Sequence, residues 1–418
     1  MHLNRQVPVR PTITGRVAAL VSVFVFTGCS LVVTDSPQTT LTTTPTEAPP
    51  TNTSTLGPSR ASSRDWTWAR VDAAVFDGSS SVHGLGSDGE TLVALGQRCI
   101  RNGPWLIGPC PGLSWTLEDE TWSEPVPIGA DEETLEVVLA DAERGIVAAV
   151  NGPDSSGIWT RQRGRGWQPI TDPAPFKAGA DGGPTGGTGP ADSLAVRVEA
   201  LTAGPAGLVA VGHVGCYQRC TDIDRAAVWL SASGETWQRT PYQPAFRNGW
   251  MRDATRFGAG LVVVGNGIWR SPDGLAWERV TDGIGTGDHW LSAVALGGPG
   301  LVAVGSDALD AAFALVSTDG RAWQRAVIEP SNRISLNSVA ASADGLVAVG
   351  RSYNPDRGLI WWSADGFSWQ LLDTGRIFAD TILSAVIEHR DAIYVAGTVR
   401  NGYPEQAAAV WIGRRAQP

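Results

Sequence analysis

The chain has 418 residues and a net charge of -10, a balance that argues against a nucleic-acid partner, which would want a basic face. Fifty glycines and 27 prolines without a long helical periodicity point to many short strands and turns. Eighteen tryptophans beside five tyrosines and two methionines make sense only if tryptophan belongs to a repeated unit.

The N-terminus places Arg5, Arg10 and Arg16 ahead of an apolar run from Val17 to Phe26, followed by Thr27, Gly28 and Cys29. A basic segment, a short apolar run and a small residue make an export signal, too short to span a bilayer. Phe26-Thr-Gly-Cys29 resembles the lipobox of bacterial lipoproteins, with phenylalanine where leucine is usual. The resemblance implies that residues 1–29 are a lipoprotein signal peptide and that Cys29 carries the lipid. Residues 30–64, rich in Thr, Ser and Pro, cannot bury a core and read as a disordered tether. The expected location is the outer face of a bacterial cell membrane, with the folded domain exported.

Four further cysteines lie in two close pairs, Cys99/Cys110 and Cys216/Cys220. In an exported chain an even count suggests disulfides, and local pairing is the simplest of the three connectivities. By loop closure the first bridge is worth about 3 kcal/mol and the second about 2. Cys216-Tyr-Gln-Arg-Cys220 also has the look of half a zinc site, but no second Cys/His pair matches its spacing. Neither a metal nor a cofactor is expected.

From residue 65 onward one unit recurs. A weak strand precedes an apolar strand such as Gly300-Leu-Val-Ala-Val-Gly305 or Gly345-Leu-Val-Ala-Val-Gly350, present seven times and near-continuously apolar, as burial on both faces requires. A third strand then leads to a tight turn and a fourth strand opening on tryptophan. The turns are Ser231-Ala-Ser-Gly-Glu-Thr-Trp237, Ser271-Pro-Asp-Gly-Leu-Ala-Trp277, Ser317-Thr-Asp-Gly-Arg-Ala-Trp323 and Ser363-Ala-Asp-Gly-Phe-Ser-Trp369, with degenerate copies at Thr116–Trp122 and Thr160–Trp167. The last unit ends after its third strand, Ala409-Val-Trp-Ile-Gly413, and Trp68-Ala-Arg-Val71 supplies the missing fourth. The expected fold is all-β: a seven-bladed β-propeller over 65–418, four antiparallel strands per blade, its last blade closed by the N-terminal strand.

The Ser-x-Asp-Gly-x-x-Trp turns resemble the Asp-box (bacterial neuraminidase) repeats of sialidase-like propellers, one residue shorter than the family's fuller motif. The turn residues Ser271, Asp273, Trp277, Ser317, Asp319, Trp323, Ser363, Asp365 and Trp369 read as structural. The short polar side chains bind backbone N–H groups, and the indole wedges between hairpins. A catalytic centre has no use for several equivalent copies.

Alternating connections put these turns and the first-to-second turns on one face. The second-to-third and blade-to-blade loops lie on the other, where the sequence spends its extra length. In the resembled family that face holds the active site, and long, mixed loops on a rigid ring suit binding. The candidate ligand residues are Arg247, Trp250, Asp288, His289, Trp290, Arg333, Arg351, Tyr353, Arg376, Arg400 and Tyr403. Arginines flanked by aromatic rings suit a carboxylated or sugar ligand. The function expected is a monomeric, membrane-tethered, non-catalytic binding or assembly module for a protein or glycan. The alternative is a sialidase-like glycoside hydrolase with Tyr353 or Tyr403 as nucleophile. That family's Arg-Ile-Pro motif is absent, and Val71 to Gly84 contains no arginine.

Overall fold

The computed structural model describes residues 66–415 apart from 72–73, 77–79, 100–109, 130–133, 142–144, 153–155, 163–164, 171, 178, 184–193, 217–223, 282, 284–288, 299, 354 and 401–405. The signal segment with Cys29, the 30–64 stretch, Cys220, Asp288 and Tyr403 lie outside the described residues.

Seven antiparallel sheets form a ring, each ordered from an innermost to an outermost strand. The innermost strands, blade 1 to blade 7, are Ser80–Ser87, Thr134–Asp141, Leu194–Gly204, Met251–Phe257, His289–Gly297, Ile334–Ser342 and Thr381–His389. In blade 1 the outermost strand is split, Thr121–Trp122 and Val126–Ile128 both pairing with Gly112–Glu118. Blade 7 takes its fourth strand, Trp66–Arg70, from the other end of the chain, with Trp66 opposite Arg415 and Arg70 opposite Trp411. The last blade therefore ends on a paired strand that joins both ends of the chain, the closure the truncated last unit predicts.

The apolar strands come second in each blade, sandwiched between neighbouring sheets. Leu301, Val302, Ala303 and Val304, for example, are all fully buried. The core divides into seven clusters, one at each blade boundary, and a fourth-strand tryptophan belongs to each: Trp167, Trp237, Trp277, Trp323, Trp369, Trp68 and Trp122. An indole buried this way stabilises by up to about 4–6 kcal/mol. A second set on the third strands escapes the repeat reading. Trp115, Trp229, Trp269 and Trp361 are fully buried, and each Nε1 donates to a carbonyl of the segment ahead of its blade, Val75, Pro175, Ala245 and Glu329, at 2.7–3.1 Å.

The turns repeat closely. In blades 3 to 6 the buried serine Oγ accepts the glycine N–H at 2.7–2.8 Å. The aspartate Oδ1 accepts the next two N–H groups, Leu275 and Ala276 in blade 4, at 2.8 and 2.9 Å. These donors hold the Asp273 carboxyl below the usual carboxylate range. The turn glycines have φ between +69° and +87° and seat against the preceding blade, Gly320 facing Val262 and Gly366 facing Val302. Blade 3 has Ser233 in place of aspartate, and its Oγ accepts only Glu235 N–H.

The glycine that ends six of the apolar strands has a different cause. Every innermost strand carries a β-bulge at one equivalent position, which pushes the strand's backbone toward its partner. At Gly96, Gly212, Gly265, Gly305, Gly350 and Gly397 a Cβ would sit 1.8–2.0 Å from a carbonyl oxygen of that strand. Only hydrogen fits there. In blade 2 the corresponding residue is Val150.

Candidate functional site

The bulges build the central channel. The extra residue in each is polar: His83, Glu136, Glu199, Arg252, Ser292, Asn337 and Ser384, blade 1 to blade 7. The flanking apolar residues, such as Leu291 and Val294 around Ser292, stay in the core. The bulge interrupts the period of two, so that one residue per blade turns to the axis without unburying its neighbours. His83, Glu199, Arg252, Ser292, Asn337 and Ser384 line a cavity of about 390 Å³. Blades 1, 3 and 4 thus carry ionisable groups at this level, and blades 5 to 7 carry hydroxyl and amide groups.

Asn337 and the neighbour of Arg252, Asp253, also clamp adjacent blades. Asn337 Nδ2 donates to Leu383 O at 2.6 Å, and Ser335 Oγ donates to Asn337 Oδ1 at 2.8 Å. Asp253, beside Arg252, accepts Val294 N–H across the blade 4 to blade 5 boundary and Ala254 N–H within its own strand, both at 2.8 Å. Burial pushes the Asp253 carboxyl up to about 6, the two N–H groups and Arg252 only partly opposing it.

On the loop-bearing side, His213 sits under Trp250 with ring centroids 4.2 Å apart, and Trp290 meets Trp250 edge-on at 5.6 Å. His213 Nδ1 lies 3.5 Å from Glu199 Oε1, beyond good hydrogen-bond length. Burial, then the Arg197 and Arg252 charges, lower the imidazole pKa to about 3, and the carboxylate contact does not offset them. The ring is therefore neutral at ordinary pH. Trp250 Nε1 is buried without a hydrogen-bond acceptor, whereas Trp290 is 42% exposed. The lip of the channel is an indole pair over a neutral histidine, with the exposed Arg252 below.

The candidate residues fall into separate groups. Trp250 and Trp290 share the lip just described, and His289 precedes Trp290 at the start of the same innermost strand. Arg333, with φ +59°, accepts Tyr353 N–H on its carbonyl at 3.1 Å, and the Arg351 guanidinium lies 4.4 Å from the Tyr353 ring centre. Arg400 pairs with Asp356, and its N–H donates to Asp380 O at 2.7 Å. Arg376 is exposed on the connector into blade 7, and Arg247 is exposed on the connector into blade 4. Arg333 and Arg351 thus meet at Tyr353, while Arg247, Arg376 and Arg400 stand elsewhere on the loop-bearing side.

Sequence reasoning missed His213, Glu199, Arg252 and the bulge ring. The signal was present: Val82-His83, Leu135-Glu136, Val198-Glu199, Met251-Arg252, Leu291-Ser292, Leu336-Asn337 and Leu383-Ser384 put a polar residue after an apolar one at the same place in every weak strand. It also missed Asp181, which anchors the loop side. Its carboxylate takes Arg225 in a two-point pair at 2.9 and 3.0 Å and Arg239 at 2.9 Å, all three side chains at most 2% exposed. Burial alone would raise this carboxyl, but the Arg225 hydrogen bond and both guanidinium charges outweigh it and hold it low. Cys99 and Cys110 are joined by a disulfide with S–S 2.07 Å. Among the described residues no group of three or more His, Cys, Asp or Glu is placed to hold a metal ion.

No protein-family model matches the chain, and no curated protein matches it significantly. Solved structures do match. A streptogramin B lyase aligns with TM-score 0.55 and 10% identity, covering 85% of this chain and 99% of that one. The WD40 repeats of RRP9 align with 0.52 and 12%, covering 85% and 98%. YCF48 bound to D1 peptide aligns with 0.51 and 14%, covering 85% and 97%. At such identities the likeness concerns the fold: this chain is built as those propellers are, a lyase and binding proteins among them.

Proposed function

We propose that this chain is an exported propeller, held at the outer face of a bacterial cell membrane by a lipid on Cys29, that binds a protein or glycan at the mouth of its channel without transforming it. One observation carries the reading. The fold offers seven equivalent bulge positions, and the chain puts five kinds of polar residue there, whereas the turns of blades 3 to 6 on the opposite face keep one pattern. Structural need alone would repeat. An exposed Trp290 at the lip and an exposed Arg252 within add a stacking surface and a forked donor, the equipment of a binding patch. That a structural neighbour is recorded holding a peptide favours a peptide segment as the ligand.

The test probes peptide and glycan arrays with the purified full chain and with Trp290→Ala, Arg252→Ala and Arg321→Ala variants. Capture of a peptide or glycan set is expected, lost with the first two variants and kept with the third, which lies on the other face. Capture indifferent to Trp290 and Arg252 would remove the channel mouth from consideration. Turnover of a chromogenic sialoside, abolished by Tyr353→Phe, would replace binding by the hydrolase reading.

A further inference from the structure

The ring is attached to the rest of the chain at a defined face. Trp66 pairs with Arg415, and Arg70 with Trp411. The strand therefore starts at the turn-bearing face and runs toward the loops. Everything N-terminal to Trp66, Cys29 included, is joined to the ring on the turn side, opposite the channel mouth. Residues 30–65 separate the two points, so even a fully extended chain keeps that side within about 120 Å of Cys29. Attachment at this range gives weak surface contacts a high effective concentration.

The turn-bearing face is suited to such contacts over blades 4 to 6. Leu275 and Phe367 occupy the same position of the turn in blades 4 and 6 and are 57% and 39% exposed. Arg321 holds that position in blade 5, between them, its side chain 65% exposed and its guanidinium paired at 3.1 Å with the exposed Glu278 carboxylate. Leu296, 47% exposed, ends the innermost strand of blade 5 on the same side. Alongside opens a cavity of about 500 Å³, its exposed surface mainly apolar, lined by Phe257, Leu261 and Trp277 together with the charged Arg270, Glu278 and Arg321. The turn carboxylates Asp273, Asp319 and Asp365 have Oδ1 engaged by backbone N–H groups. Apolar tips flanking a guanidinium suit the boundary between lipid headgroups and acyl chains, the tips entering and the cation meeting phosphate.

Resting on the reading of Cys29 as a lipid anchor, we propose that this face of blades 4 to 6 lies on the membrane surface, seated by Leu275, Leu296, Phe367 and Arg321. The channel mouth then opens away from the membrane, toward ligands outside the bilayer.

The test uses the full chain with its signal, recovered in membrane vesicles, with an environment-sensitive dye placed at one of three sites: Leu275→Cys, Phe367→Cys or Leu309→Cys. Leu309 is 85% exposed on the loop-bearing face and is the control. The unsubstituted chain serves as the labelling blank. Dye at 275 and 367 is expected to shift to the blue and to lose most of its emission to nitroxide-labelled lipid, while dye at 309 does neither. Sedimentation with membranes but no quenching at 275 and 367 overturns the docking and leaves the anchor standing. A blue shift without lipid quenching assigns the face to a protein partner and also overturns it. A chain that fails to sediment with membranes overturns anchor and docking together.

Discussion

The two faces of the ring are ordered by different means. The turn-bearing face repeats one hydrogen-bond pattern through blades 3 to 6, with serine, glycine and tryptophan in the same roles each time. On the loop-bearing face the third-strand indoles repeat one bond, but the networks among polar side chains each occur in one place: Asp181 with Arg225 and Arg239, Asn151 with Ser156, Arg400 with Asp356. A repeated solution marks what the fold requires of every blade. A network that occurs once marks what this chain adds to the fold, and the candidate site lies on that side.

The sharpest test of the contrast is Asp181→Ala. It strands two buried guanidinium groups and is expected to cost about 3–5 kcal/mol in denaturant unfolding. A loss below about 1 kcal/mol would mean the network is not what orders that side. Next comes Gly350→Ala. The new Cβ would lie 2.0 Å from the Ser335 carbonyl oxygen, backbone that cannot step aside, and the expected loss is about 3 kcal/mol. Wild-type stability in that variant would deny that the bulge dictates the glycine. Asp273→Ala removes an acceptor for two exposed N–H groups, with an expected loss of about 1 kcal/mol by the same assay. A much larger loss would make a single turn copy as decisive as the buried network.

Smallest in the wild type, because they oppose one another, is a pair of pH slopes at the channel. His213 titrates at about 3 in the folded chain against an ordinary value of 6.5. Between those values the unfolded chain binds the extra proton, so this group makes stability fall as pH is lowered. Asp253 titrates at about 6 against an ordinary value of 3.8. Between those values the folded chain holds the proton, so this group makes stability fall as pH is raised. Each slope is at most about 1.4 kcal/mol per pH unit, and they oppose one another from pH 3.8 to 6. His213→Gln is expected to unmask a stability that declines with rising pH in that window, and Asp253→Asn one that climbs. Identical pH profiles for the two variants and the wild type would show that neither group is desolvated as described.

Much of the scaffold was legible because its causes are local and recur. A buried strand reads as Leu-Val-Ala-Val, a tight turn as Ser-x-Asp-Gly, and an inter-blade wedge as a tryptophan at fixed spacing. The strand Trp66–Arg70 could be assigned to blade 7 because the tail lacks a fourth strand and the head has a spare one. The candidate site was read less well. Arg247, Arg376 and Arg400 drew attention as loop arginines, yet they stand on separate connectors. His213 sits inside an apolar strand, where its proximity to Glu199 depends on the bulge in the strand beside it and its burial by Trp250 on how blades 3 and 4 meet.

The amino-acid sequence by itself determined the blade, the number of blades and the splice that closes the ring, since each follows from patterns a few residues long. Which side chains face the axis was decided only in three dimensions. A bulge breaks the alternation that sequence reading relies on, and the burial that chiefly sets His213 and Asp253 comes from packing against neighbouring strands and blades.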